Sequence, residues 1–282
     1  MNYFNYNGKI SESTIPVLGP ANRGMRYGDG VFETMKWGEK GLVLADDHFA
    51  RFFKGLELLK FDLPKLWTVA MFSEQVAKLT LKNKLNTARI RLTAIRGDGG
   101  LYDPVNNIPN YIIEATPLPS GNGSLNVNGI QLCIYRDGVK AIDAFSNIKH
   151  NNLLPYFMGA AFAKSKHCND AVILNSKGNV CETTIANIFI IQKGIIYTPA
   201  LPEGCIAGVM RNWLIEKIRE LGFTVHESAI TTTELLLADE LFLSNSIFNI
   251  RWVGALEDKI FSNTLTEQIS VELCAKYPDI YI

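Results

Sequence analysis

Two prolines and two glycines fall within Pro117-Leu118-Pro119-Ser120-Gly121-Asn122-Gly123-Ser124, and neither a helix nor a central strand survives that density of breakers. The periodic segments on either side must therefore bury their apolar faces separately. The break reads as a linker, 119–124, between a first domain of residues 1–118 and a second of residues 125–282. A chain of 282 residues, 47% of them hydrophobic, has the length and the apolar content for two cores.

Before the break, Val31–Trp37, Arg89–Ile95 and Tyr111–Ala115 are short β-rich runs, and Asp46–Phe61 and Leu66–Leu81 are helical. In the first of those helices Phe49, Phe52, Phe53, Leu56 and Leu59 recur at three- and four-residue steps, which gives one apolar face to pack on strands. After the break the pattern predicts a strand at Ile130–Tyr135, a helix at Asn152–Lys166, strands at Ala171–Leu174 and Thr184–Ile191, a helix at Gly208–Leu221 and a strand at Glu240–Leu243. The turn Ser176-Lys177-Gly178-Asn179 makes the two middle strands a hairpin. Gly222 sits where a helix terminator belongs, and Thr231-x-x-Glu234 fits a capping box. The class is α+β.

Charge narrows the partners. The chain carries 28 Lys+Arg against 28 Asp+Glu, so it lacks the basic surplus that meets nucleic acid or an anionic membrane. No stretch approaches the length of a membrane-spanning helix, and the start MNYFNYNGKI has no basic segment followed by an apolar one; a cytoplasmic protein is expected. The five cysteines are scattered, with no C-x-x-C and no histidine at ligand spacing, and read as free thiols without a metal.

Five segments carry chemistry-bearing residues. Lys149, in Ser146-Asn147-Ile148-Lys149-His150, stands between a strand and a helix start, where a side chain either enters a cleft or stays solvated on the surface. Glu182 enters an apolar β run and needs either a strand edge or a partner, because an unpaired buried carboxylate is costly. Gly204-Cys205-Ile206-Ala207-Gly208-Val209-Met210-Arg211 runs from a glycine-bearing loop into a helix, whose first amides can hold a phosphate. Arg51, four residues after Asp47, is either that residue's ion-pair partner or an anion ligand. Ser244-Asn245-Ser246 offers donors at a strand end.

In this order and spacing, from Met25-Arg26-Tyr27-Gly28-Asp29-Gly30-Val31-Phe32-Glu33-Thr34 to Phe242–Val253, the segments resemble the class IV aminotransferases, the fold-type IV pyridoxal-phosphate enzymes. The resemblance implies a two-domain fold like that of D-amino-acid transaminase, with a small N-terminal α/β domain and a larger C-terminal β-barrel-like α/β domain. It implies pyridoxal 5'-phosphate as cofactor and a small amino compound as substrate. Lys149 resembles the Schiff-base lysine, which also serves as general base. Glu182 resembles the acid facing the pyridine nitrogen, and Arg51 the phosphate arginine. Val209 and Met210 resemble the block whose amides hold the phosphate, and Asn245 and Ser246 its second loop. A homodimer is also implied, and the long loop Gly97–Asn110, with Leu101 and Tyr102 inside it, is either a reach toward the partner or an ordinary surface loop.

Subtype features point mainly to aminodeoxychorismate lyase. His150 after the lysine and Thr34, which resembles a proton-handling hydroxyl, follow that branch, while Asn152 and Leu154 further on resemble the lyase and D-amino-acid branches alike. Branched-chain enzymes carry a tyrosine where this chain has Leu154, and a Tyr-x-Arg where it has Arg89-Ile90-Arg91. Strand alternation puts Arg89 and Arg91 on one face. There they either bind substrate carboxylates, together with Tyr27, or pair with acids. Leu101 departs from the lyase pattern, which has an arginine there, and leaves Arg89, Arg91 or Arg96 to replace it. The favoured function is the lyase reaction that yields 4-aminobenzoate and pyruvate. The alternatives are an aminotransferase for branched-chain or D-amino acids, and a non-catalytic cofactor-binding protein.

Overall fold

The computed structural model describes residues 2–119, 121 and 123–282. The chain forms two compact units, Met1–Ser120 with Ile148–Asn152 and Ile282, and Gly121–Asn147 with Leu153–Tyr281. Ser120 and Asn122 of the expected linker lie outside the described residues.

The first unit contains β1 (Tyr3–Tyr6), β2 (Lys9–Glu12), α1 (Arg23–Tyr27), β3 (Gly30–Gly38), β4 (Gly41–Leu42), α2 (Ala45–Leu58), α3 (Val69–Lys82), β5 (Ala88–Arg96) and β6 (Pro109–Thr116). Its sheet has the order β2-β1-β6-β5-β3-β4 and every pairing in it is antiparallel. Alternation divides the sheet into two faces. Val31, Met35, Ile90, Leu92 and Ile113 point into a core closed by Phe49, Phe52 and Leu56 of α2 and by Phe72, Val76 and Leu79 of α3. The Phe49 and Phe72 rings stack with centroids 5.5 Å apart. Thr68 caps α3 by accepting from the Met71 amide, which starts that helix three residues later than the periodicity predicts.

The second unit runs β7 (Ile130–Lys140), α4 (Leu154–Ser165), β8 (Asp170–Asn175), β9 (Val180–Thr183), β10 (Asn187–Gln192), β11 (Ile195–Pro199), a 3₁₀ turn (Leu201–Glu203), α5 (Val209–Glu220), β12 (Val225–Ser228), α6 (Thr232–Leu237), β13 (Glu240–Asn245), β14 (Asn249–Leu256), β15 (Lys259–Ile260) and α7 (Thr264–Lys276). Its mixed sheet has the order β12-β11-β10-β13-β14-β7-β8-β9, with β15 beside β14. Leu132 and Ile134 of β7 face one apolar cluster with Ile188, Leu241 and Val253, while Cys133 and Tyr135 face another with Tyr156 and Ala163 of α4. Gly222 takes φ +91° directly after α5, and the Thr231–Glu234 capping box opens α6.

Two features depart from the sequence reading. The hairpin after Ser176–Asn179 closes with Val180–Thr183, and the chain then breaks before β10, so Thr184–Ile191 is not one strand. Asp170 causes the break, since its Oδ1 accepts from the Thr184 amide at 3.2 Å and from the Thr184 hydroxyl at 2.5 Å. The second departure is Ile148–Asn152, which clusters with the first unit although it lies well beyond the linker. Ile148 is buried in the first core, Phe32 N donates to Lys149 O at 2.9 Å, and Asn151 N donates to Gly30 O at 3.0 Å. The segment thus runs alongside the start of β3.

Candidate active site

Within the first unit, the sheet face turned away from α2 and α3 gathers several of the expected residues. Register pairs Thr34 with Arg91, Phe32 with Thr93, and Lys36 with Arg89. Arg89 and Arg91 do share a face, and Thr34 is on it. Lys149 joins them through Phe32, whose ring has Arg91 Cζ at 3.9 Å and Lys149 Nζ at 4.6 Å from its centroid. Arg91 also lies 3.9 Å from the Glu114 carboxylate. Burial alone lowers the pKa of Lys36 to about 8. Tyr27 is elsewhere, at the end of α1, exposed, under the Arg23 guanidinium and near the Tyr102 ring.

Arg96 is not a spare carboxylate ligand. Its guanidinium nitrogens donate to Asp29, Asn107 and the carbonyls of Lys60 and Leu59, and it lies over the Phe61 ring. The Gly97–Asn110 loop is tied at its start, where Asn22 donates to Asp98 and Arg23 to Leu101 O, while Leu101 and Tyr102 remain exposed.

On the core side of β3, Arg51 pairs with Glu33, not with Asp47. Its Nε and Nη2 reach the two Glu33 oxygens at 2.8 and 2.6 Å, and His48 Nδ1 lies 2.7 Å from Glu33 Oε2. Burial, the largest influence on Glu33, pushes its pKa up; the Arg51 charge and the His48 hydrogen bond outweigh it and hold the carboxyl at about 2. Burial likewise pulls His48 down, against the pull of Glu33. The fork to Glu33 fixes the plane of the guanidinium.

In the second unit Glu182 is buried within β9. Lys140 Nζ and Tyr156 Oη each donate to Oε1 at 2.5 Å, and the Ile206 amide donates to Oε2 at 3.0 Å. The carboxylate has a partner, which resolves the choice the sequence left open. Asn187, whose Nδ2 lies 3.4 Å from Oε2, also donates to Ile206 O. None of these partners had a sequence signal beyond its own residue type, and Lys140 lies five residues past the strand that the sequence predicts at Ile130–Tyr135.

Helix α5 begins at Val209 with Gly208 as N-cap and no side-chain cap. The Val209 and Met210 amides of its first turn are thus placed as anion donors, whereas the Arg211 side chain turns to Glu227 and Pro199 O. A Cβ at Gly208 would run into Asn187 Oδ1. Gly208→Ala is therefore expected to lower stability by about 1–3 kcal/mol, read as a shift of the thermal midpoint; an unchanged midpoint would count against this close approach. Asn245 accepts from the Ile247 and Phe248 amides and donates to Ile185 O, so its side chain shapes the turn after β13, and Ser246 follows half-buried. The donor set suits pyridoxal phosphate: an uncapped helix start suits the phosphate, and a buried carboxylate suits a protonated ring nitrogen.

Comparison with known proteins gives the family. The model of the family "Amino-transferase class IV" matches residues 30–256. A Methanocaldococcus jannaschii protein, named provisionally as a branched-chain-amino-acid aminotransferase, is 28% identical over 97% of this chain and 94% of its own. Aminodeoxychorismate lyase of Vibrio harveyi is 31% identical over 89% of this chain and 92% of its own, and relatives named D-alanine aminotransferase also match. Among solved structures, the branched-chain amino acid aminotransferase of Escherichia coli superposes with a TM-score of 0.86 at 20% identity over 98% of this chain and 93% of that one. A second enzyme of that name, solved with pyridoxamine 5'-phosphate, superposes with a TM-score of 0.86 at 20% identity over 97% of this chain and 93% of its own. The chain belongs to the class IV aminotransferases and is a pyridoxal-phosphate-dependent enzyme of the fold-type IV architecture.

Proposed function

We propose that the protein is a 4-amino-4-deoxychorismate lyase, with Lys149 as the catalytic base. One observation carries this reading: Thr34, Arg91, Lys36 and Arg89 share the sheet face toward which Lys149 also points through Phe32. A hydroxyl among three cationic side chains matches a substrate that brings two carboxylates and must exchange protons. The relative that is 31% identical and named aminodeoxychorismate lyase supports it.

In this reading the phosphate is held by the Val209 and Met210 amides, by Arg51 and by the turn at Asn245 and Ser246. Glu182 meets the ring nitrogen. Bound pyridoxal phosphate supplies an electron sink for the carbon that bears the substrate amine. Lys149 Nζ takes the proton from that carbon, the C–O bond to the enolpyruvyl group breaks, and the leaving group takes up a proton to become pyruvate. In this reading Thr34 relays that proton, and the remaining ring is 4-aminobenzoate. The two arginines, Arg89 and Arg91, hold the substrate.

The test is to generate aminodeoxychorismate in situ and follow 4-aminobenzoate fluorescence. Enzyme-dependent formation with equal release of pyruvate is expected. Transfer of the amino group from a branched-chain or D-amino acid to a keto acid, with no 4-aminobenzoate formed, would replace this reading with the aminotransferase one. The same proposal includes a homodimer, because Leu101 and Tyr102 are 68% and 93% exposed and need a cover. Sedimentation at twice the chain mass is expected, and a fully active monomer would refute it.

A further inference from the structure

The two oxygens of Glu182 are not equivalent. Oε1 accepts two bonds of 2.5 Å, from Lys140 and Tyr156, while Oε2 has one firm bond, from the Ile206 amide, and a long approach from Asn187. Lys140, Tyr156, Glu182 and Asn187 are only 6%, 7%, 3% and 7% exposed. A lysine so deeply placed needs a counter-charge, and the only ion pair recorded for it among the described residues is with Glu182. Its aim depends on a bulge. Tyr135 pairs with Ile173 and Val139 with Leu174, so three residues of β7 are extra before Lys140 pairs with Asn175. Without that bulge the strand would carry position 140 past Glu182, whose own register partner is Ile173. Burial and the Glu182 charge push the Tyr156 phenol well up, so it remains a donor.

We infer that Lys140 is a positioning residue which, with Tyr156, anchors Oε1 of Glu182 and leaves Oε2 to face the cofactor's ring nitrogen. The inference rests on the proposed role of Glu182. Lys140 then acts on the cofactor only through that carboxylate, and this dependence is what distinguishes it from a lysine that merely supports the fold.

The experiment titrates the cofactor-free protein with pyridoxal phosphate, reading visible absorption and tryptophan fluorescence, with circular dichroism to check folding. Wild type, Lys140→Gln, Glu182→Gln, the double variant and Lys140→Arg are compared. Lys140→Gln is expected to weaken binding by about tenfold or more, Lys140→Arg to stay within about threefold of wild type, and Lys140→Gln to add less than about twofold once Glu182→Gln is present. Wild-type affinity in Lys140→Gln, or an equal loss in both backgrounds, would overturn the inference. If Lys140→Gln does not fold, Tyr156→Phe takes its place in the same cycle: a loss confined to the Glu182 background supports the anchoring of Oε1, and equal effects in both backgrounds overturn it. A wild-type chain that takes up no cofactor would overturn the reading of Glu182 and this inference with it. That result is distinct from a wild type that binds while the variants bind equally well.

Discussion

Lys149→Ala is expected to lower kcat by at least about 10³-fold, equivalent to about 4 kcal/mol of barrier, while leaving the melting temperature almost unchanged. The small structural effect follows from what holds the segment: Ile148 is buried in the first core, and the bonds to Phe32 and Gly30 are made by backbone atoms. The large kinetic effect follows from the lack of a substitute. Lys36 is on the same face, but it is four residues along β3 from Phe32, about 13 Å at strand rise, too far to take the same proton. Cofactor should still be retained on dialysis, more weakly than in wild type, because the residues proposed to hold the phosphate are untouched. A rate loss of less than about tenfold would remove Lys149 from the role of base.

Glu33→Ala should cost about 3–5 kcal/mol of stability, since it leaves the Arg51 guanidinium and the His48 ring buried without the carboxylate that joins them. That is a large share of a typical domain's total stability. The pH dependence gives a sharper reading. Glu33 has its folded pKa held at about 2, below the ordinary 4.5, so the stability it contributes is complete above about pH 4.5 and is lost as pH falls toward 2. His48 is also depressed, from 6.5, so its contribution runs in the same direction and begins to fall below that pH. Wild type should thus lose melting temperature between pH 4.5 and 2 more steeply than Glu33→Ala does. Parallel curves for the two proteins across that window would show that the Glu33 cluster does not carry this stability. Cofactor affinity should fall in the same variant, because Arg51 loses the fork that sets its plane.

Part of this site was legible before any contact was known. Alternation along Arg89-Ile90-Arg91 places both guanidiniums on one face, and the register with Thr34 and Lys36 bears this out. The break after Thr183, by contrast, could not be read from hydrophobicity, because it comes from a hydrogen bond to Asp170, fourteen residues back in the chain. The Asn7-Gly8 pair between β1 and β2, with both residues at positive φ, was a hairpin signal that could have added those strands.

By itself, the sequence determined what depends on neighbours along the chain. It set the apolar face of α2, the glycine after α5, the capping box of α6, and the ordered blocks that mark a class IV aminotransferase. Only the tertiary structure decided the partners of the charged groups. Arg51 had Asp47 four residues away and bonded Glu33, eighteen away; Glu182 found Lys140, forty-two away; and the backbone of Lys149 was drawn onto β3 by the burial of Ile148. An ion pair forms where two side chains are brought together and desolvated. That depends on which strands and helices pack, and residue spacing along the chain does not encode it.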